Sequence, residues 1–220
     1  MLVRGACALV IVLVPGGASL LGAQDVGRPI SIDSLQLTAL GSEVGVVRPA
    51  QAQSATIFGV SADYGALSPT LRLRLEASYW QSRLTDAVVQ KYTNLLSRVI
   101  TDPSGDDVIL PSRVSLYDVT LGAGVRWMPM QATVVQPFAG AGVALHVINA
   151  EGPLINDTFV EGLFDSFSTG FFVESGVLIR PVKQIGVEGR VRADLVSGFR
   201  SVSARIGGVY YFGPLRRMEP

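Results

Sequence analysis

The stretch Val114–Met128, VSLYDVTLGAGVRWM, sorts into two chemically different faces at a period of two, and this constrains the fold more than any other feature of the chain. Tyr117, Val119, Leu121, Ala123, Val125 and Trp127 fall on one face, an unbroken apolar row with an aromatic ring at each end. Leu116, Asp118, Thr120, Gly122, Gly124 and Arg126 fall on the other. A period of two belongs to a β-strand. Ten residue steps separate Tyr117 from Trp127, which at ~3.3 Å per step and a tilt of ~35–45° spans roughly 25 Å. An apolar band of that height, closed by interfacial aromatics, reads as the lipid face of a transmembrane strand. The charged face then looks into an enclosed lumen.

Composition agrees. Charged residues make up 16% of the 220 and mean hydropathy is +0.39, against about 25% charged in average soluble chains. No run of ~20 apolar residues occurs outside the N-terminus, so helical spans are excluded and the apolar content must cross as short alternating segments.

Met1–Gln24 reads as a secretory signal peptide: Arg4 supplies the positive start, Ala6–Val14 the apolar run, and Pro15, Gly16 and Gly17 break it before a small-residue region. Cleavage is expected after Gln24, with Gly22 at the −3 place, or next after Ala23. The single cysteine, Cys7, lies inside this segment, so the mature chain is expected to carry neither a disulfide nor a lipidated cysteine. Removing Arg4 leaves 17 basic and 18 acidic residues of the 18 and 18 present, a balance that favours no nucleic-acid partner.

After a periplasmic lead-in, 25–38, eight strands are expected: 39–47, 55–64, 71–83, 114–128, 135–148, 169–180, 185–196 and 202–212. Leu71, Leu73, Leu75, Ala77 and Tyr79 face out against Arg72, Arg74, Glu76, Ser78 and Trp80, and the other strands alternate in the same way. The connections are an independent test. Short ones, Gly65–Thr70, Pro129–Thr133 and Pro181–Gln184, fall on one side, and the long Asp86–Arg113 and Ala150–Phe167 fall on the other, as in bacterial barrels with short periplasmic turns. Asp86 is expected to cap a helix reaching Ile100, with continued strand as the alternative.

By alternation the lumen holds Arg72, Arg74, Arg126, Arg180, Arg190, Arg192 and Arg205 opposite Glu43, Asp63, Glu76, Asp118, Glu174, Glu188 and Asp194. An eight-stranded interior is only wide enough for side chains, and unpaired charge there is costly. The expectation is therefore a salt-bridged plug; a narrow ion path or channel is the alternative. Tyr64, Tyr79, Tyr117, Trp127, Tyr210 and Phe212 form the expected aromatic girdle, in contact with membrane lipids.

The segment Gln136–Val143, QPFAGAGV, and the ending Tyr210, Tyr211, Phe212 resemble the small eight-stranded outer-membrane barrels of the OmpA and OmpX kind, the outer membrane protein β-barrel domain family. The resemblance covers Ala39–Phe212. It implies an all-β, antiparallel up-and-down transmembrane barrel in the bacterial outer membrane. It also implies that the C-terminal strand is recognised by the outer-membrane assembly machinery; members of the family usually stop at the terminal aromatic, and the residues that follow it here, 213–220, are expected to form a periplasmic tail.

No cofactor, metal or catalytic residue is assigned. His146 is the only histidine, and it lacks the His-x-Ser arrangement of the barrel deacylases, being followed by Val147 and Ile148. It is read as a lumen histidine bonded to a carboxylate rather than as part of a lipid-modifying enzyme. Asp102–Asp107 lacks the spacing of a calcium loop and is read as a polar turn. Asn156–Thr158 is read as a chance sequon. Leu154, Ile155, Phe159, Val160, Leu163 and Phe164 are expected to pack over the barrel mouth or to bind a partner. The expected role is structural or interactive: envelope integrity, or capture of an external ligand or host surface through the two long loops. A soluble lipocalin-like carrier would need the two faces reversed.

Overall fold

The computed structural model describes residues 35–90, 115–130, 133–151, 166–196 and 199–212. Eight strands follow in chain order: β1 (Ala39–Pro49), β2 (Ala55–Ala66), β3 (Leu71–Arg83), β4 (Ser115–Trp127), β5 (Val135–Glu151), β6 (Ser166–Ile179), β7 (Ile185–Val196) and β8 (Phe199–Tyr211). Each pairs antiparallel with the next, and β8 closes on β1 from Ala39 opposite Tyr211 to Pro49 opposite Ser201. Closure leaves no open edge, so no strand presents an unpaired row of backbone donors and acceptors to lipid.

The two faces separate as alternation requires. Leu121 and Ile206 on the outer face are 51% and 60% exposed, while Arg190 and Arg192 are 3% and 1% exposed. A soluble carrier would show the reverse. All six girdle residues point outward, with Tyr79 and Tyr117 towards one end and Tyr64, Trp127, Tyr210 and Phe212 towards the other. Phe58, opposite Tyr79, and the exposed Phe167 and Phe171 add to the same outer surface.

Several strands outrun the alternating pattern. β5 continues to Glu151, opposite Ser115, and β6 begins at Ser166, opposite Ile148. β8 begins three residues early, at Phe199. Backbone pairing persists beyond the apolar band because ladder hydrogen bonds do not depend on which side chains alternate, so polarity marks the membrane and not the strand end. β6 stops at Ile179, one residue before Arg180, and β8 at Tyr211, although Phe212 N–H still donates to the Thr38 carbonyl at 3.0 Å.

Between β2 and β3 the ladder shifts register after Asp63, and Gly65 there has φ 90°. A Cβ is strained in that region. Gly65→Ala is expected to lower stability by about 1–2 kcal/mol, read as an earlier urea midpoint; an unchanged midpoint would place no strain at this bulge.

Residues 86–90 are helical. The Thr85 carbonyl accepts from Val88 N at 2.9 Å and Val89 N at 3.1 Å. Thr85 is therefore the cap, not Asp86, which stands inside the first turn. The remainder of that expected helix lies outside the described residues. So do the signal peptide, the calcium-like turn, the sequon, the apolar cluster of the second long loop and the C-terminal tail.

Candidate functional site: the sealed lumen

The strands bring their inward residues into three stacked layers. At the end that carries the long connections, Val47, Ala52, Ile57, Trp80, Leu84, Leu116, Ile148, Val196 and Phe199 form an apolar layer. Trp80 and Phe199 stack with centroids 6.0 Å apart and planes 8° from parallel. Val88 and Val89 from the helical turn pack against it, so the root of the first long loop is part of the closure. At the opposite end Ala39, Met128, Phe138, Leu178, Val209 and Tyr211 make an apolar floor.

Between them lies an ionic belt. Arg190 is its centre: Nε donates to Glu43 Oε2 at 2.9 Å, NH2 lies 2.8 Å from Glu76 Oε2, and NH1 bonds Glu174. Arg126 forks between Glu174, at 3.0 and 2.9 Å, and Glu188, at 2.6 and 3.1 Å, with its guanidinium 3.7 Å from the centroid of Phe138. Arg74 reaches Glu188 at 3.1 Å and Asp63 at 3.9 Å. Arg192 bonds Glu76 and Asp194 and lies 3.8 Å over Phe172, while Arg205 reaches Glu43 at 2.7 Å. Arg72 is buried on the same face. Bidentate pairing of this kind offsets the cost of taking guanidinium and carboxylate groups out of water.

Room for these long side chains comes from cross-strand glycines. Glu43 faces Gly59, Glu76 faces Gly122, and Glu174 faces Gly140. A Cβ on Gly59 or Gly122 would meet the opposite carboxylate at 2.6 or 2.9 Å. The inward glycines are thus spaces for acids.

His146 is 1% exposed and stands where the belt meets the upper layer. Nδ1 lies 2.9 Å from Asp118 Oδ2 and 3.2 Å from the Thr120 hydroxyl, and Nε2 lies 3.8 Å from Asp194. Trp80 Nε1 donates to the same Asp118 oxygen at 3.1 Å. The arrangement is a buried polar knot; among the described residues no group of three or more metal-ligating side chains occurs.

One inward residue stands apart. Arg180 is only partly buried at the floor end, donates to the Lys183 carbonyl and lies 3.9 Å over the Tyr211 ring. It follows the last residue of β6, where the chain already turns away, so it caps the floor and, among the described residues, makes no ion pair within the belt. Among the described residues the belt therefore holds six arginines, seven carboxylates and His146. The two apolar lids were not among the sites read from alternation. Their signal was present: inward positions near strand ends, such as Leu116, Ile148, Leu178 and Val209, are apolar.

No protein-family model matches the sequence, and no curated protein does. The fold is similar to that of neisserial surface protein A (NspA), with a TM-score of 0.52 and 17% identity, covering 79% of this chain and 96% of that one. It is also similar to the N-terminal β-barrel domain of Pseudomonas aeruginosa OprF, with a TM-score of 0.50 and 15% identity, covering 80% and 98%. With apolar residues outside, charge enclosed within and eight strands closed in sequence order, this chain has the fold of the small eight-stranded outer-membrane β-barrels.

Proposed function

We propose that the protein is a non-conducting outer-membrane barrel that acts as a rigid base for its external loops, 86–113 and 150–167, which engage an external ligand or surface. The observation that carries this reading is the layered lumen: a solute would have to cross two close-packed apolar layers as well as a belt whose guanidinium groups are held by carboxylates. The packing of Val88 and Val89 on the upper layer supports the second part, because it roots the first loop in the closure. In this reading the barrel is not an enzyme, and His146 serves packing and charge satisfaction beneath Trp80 and Phe199.

Planar-bilayer recording of the refolded chain tests the proposal. The expected result is a flat trace across ±100 mV, whereas sustained ohmic steps would favour the narrow channel. Replacing residues 91–113 by a short linker is expected to leave the heat-modifiable gel shift of the folded barrel intact while abolishing binding of cells to their target surface. Retained binding would remove this loop from the reading.

A further inference from the structure

The belt is one cation short. Among the described residues six arginines face seven carboxylates in a closed interior, and six of those acids have an arginine within 3.9 Å. Asp118 is the exception, and its charged neighbour is His146. Both are buried just beneath the apolar lid, where an uncompensated charge is costly.

Each ring nitrogen of His146 faces a carboxylate. Nδ1 lies 2.9 Å from Asp118 Oδ2, while Nε2, which has no hydrogen-bond partner among the described residues, lies 3.8 Å from Asp194 Oδ1. Neutral imidazole has one N–H and one lone pair. Whichever nitrogen holds a single proton, the other turns its lone pair on an acid. The missing proton does not belong on Asp118 instead. Its Oδ2 also accepts from Trp80 Nε1 and from the Thr120 hydroxyl, each at 3.1 Å, as an ionised carboxylate does. Its Oδ1 is buried with no hydrogen-bond partner among the described residues, so a proton there would have no acceptor.

The other elements around the ring add no competing base. β3 brings Trp80, β6 sets Ser168 opposite His146 in the ladder, and β8 brings the Phe199 ring to 6.3 Å. β7 brings Asp194 together with Arg192, the nearest arginine, which is itself held by Asp194 and Glu76.

We propose that His146 carries both ring protons at neutral pH, as the seventh cation of the belt, and that this proton fastens the lid. Asp118 holds Trp80 from below, and His146 is what keeps Asp118 compensated. A proton bound in the folded chain and released on unfolding stabilises the fold, so stability is present while the ring is charged and falls as rising pH removes the proton. The inference rests on the geometry of this knot and not on what the loops bind.

The chain has a single histidine, so one labelled ring reports its own state. The test uses the untagged mature chain with isotope-labelled histidine, folded in detergent micelles, its ring nitrogens read by NMR at about pH 7.5, where a free imidazole is mostly neutral. The wild type is expected to show two ring N–H groups, and Asp118→Asn only one. A singly protonated ring in the folded wild type, or a second proton that survives Asp118→Asn, overturns the proposal. When the pH is raised until the second N–H is lost, the wild-type urea midpoint is expected to fall across that step, whereas the double variant Asp118→Asn, His146→Gln is expected to hold its midpoint over the same interval. A wild-type midpoint that does not move as the proton leaves removes the fastening role.

Discussion

Replacing Arg190 by Met is expected to lower the unfolding free energy by about 3–5 kcal/mol, because it strands charge in a closed interior and does not merely delete one bond. Arg190 is the common partner of Glu43, Glu76 and Glu174. Glu43 retains Arg205, and Glu174 retains Arg126, but their remaining cations are already shared with other groups. Adding Glu174→Gln to Arg190→Met is expected to recover part of the loss, since it removes one of the stranded charges. Glu174→Gln alone is expected to destabilise. That change of sign is the mark of residues acting as one network. Urea unfolding of the barrel refolded in lipid vesicles, followed by tryptophan fluorescence, measures all three. Strictly additive effects would mean that Arg190 and Glu174 do not interact.

The upper layer gives the second large effect. Trp80→Ala is expected to cost about 3–5 kcal/mol, the range for truncating a buried aromatic. Trp80 is 2% exposed, stacks on Phe199 and lies in the middle of the apolar lid. Trp80→Phe keeps a ring against Phe199 but loses the N–H donated to Asp118, and is expected to cost about 1–2 kcal/mol. The ratio of the two separates packing from hydrogen bonding. Equal losses would put the energy in the Asp118 contact instead of the lid. Because the floor around Phe138 and Leu178 stays closed, Trp80→Ala is still expected to give a flat bilayer trace.

The two large effects draw on different amounts of information in the chain. Arg190 is identifiable without coordinates: it alternates with Gly189 and Val191, so it must face the side away from lipid. Its partners are not identifiable that way. Glu43 lies far off in sequence, and the contact exists only because β8 closes on β1 and carries β7 round with it. Trp80 is likewise legible as an inward residue, yet its role as a lid depends on Phe199, which precedes the run of outward apolar residues in β8 and takes its inward place through pairing with Val196. Arg180 shows the opposite limit. Parity put it inside, but parity carries no height, and the end of β6 leaves it at the rim beside Tyr211.

Strand number, the facing of each residue and the side that carries the long connections were all legible in the chain before folding. Those follow from a period of two written into every segment and from the cost of leaving charge in lipid. The vertical order within the lumen and the pairing inside the belt emerge with the closed barrel. Both arise from register between strands, which sets heights and neighbours across the barrel that no local pattern encodes. The same register turns scattered inward glycines into the spaces that Glu43, Glu76 and Glu174 occupy.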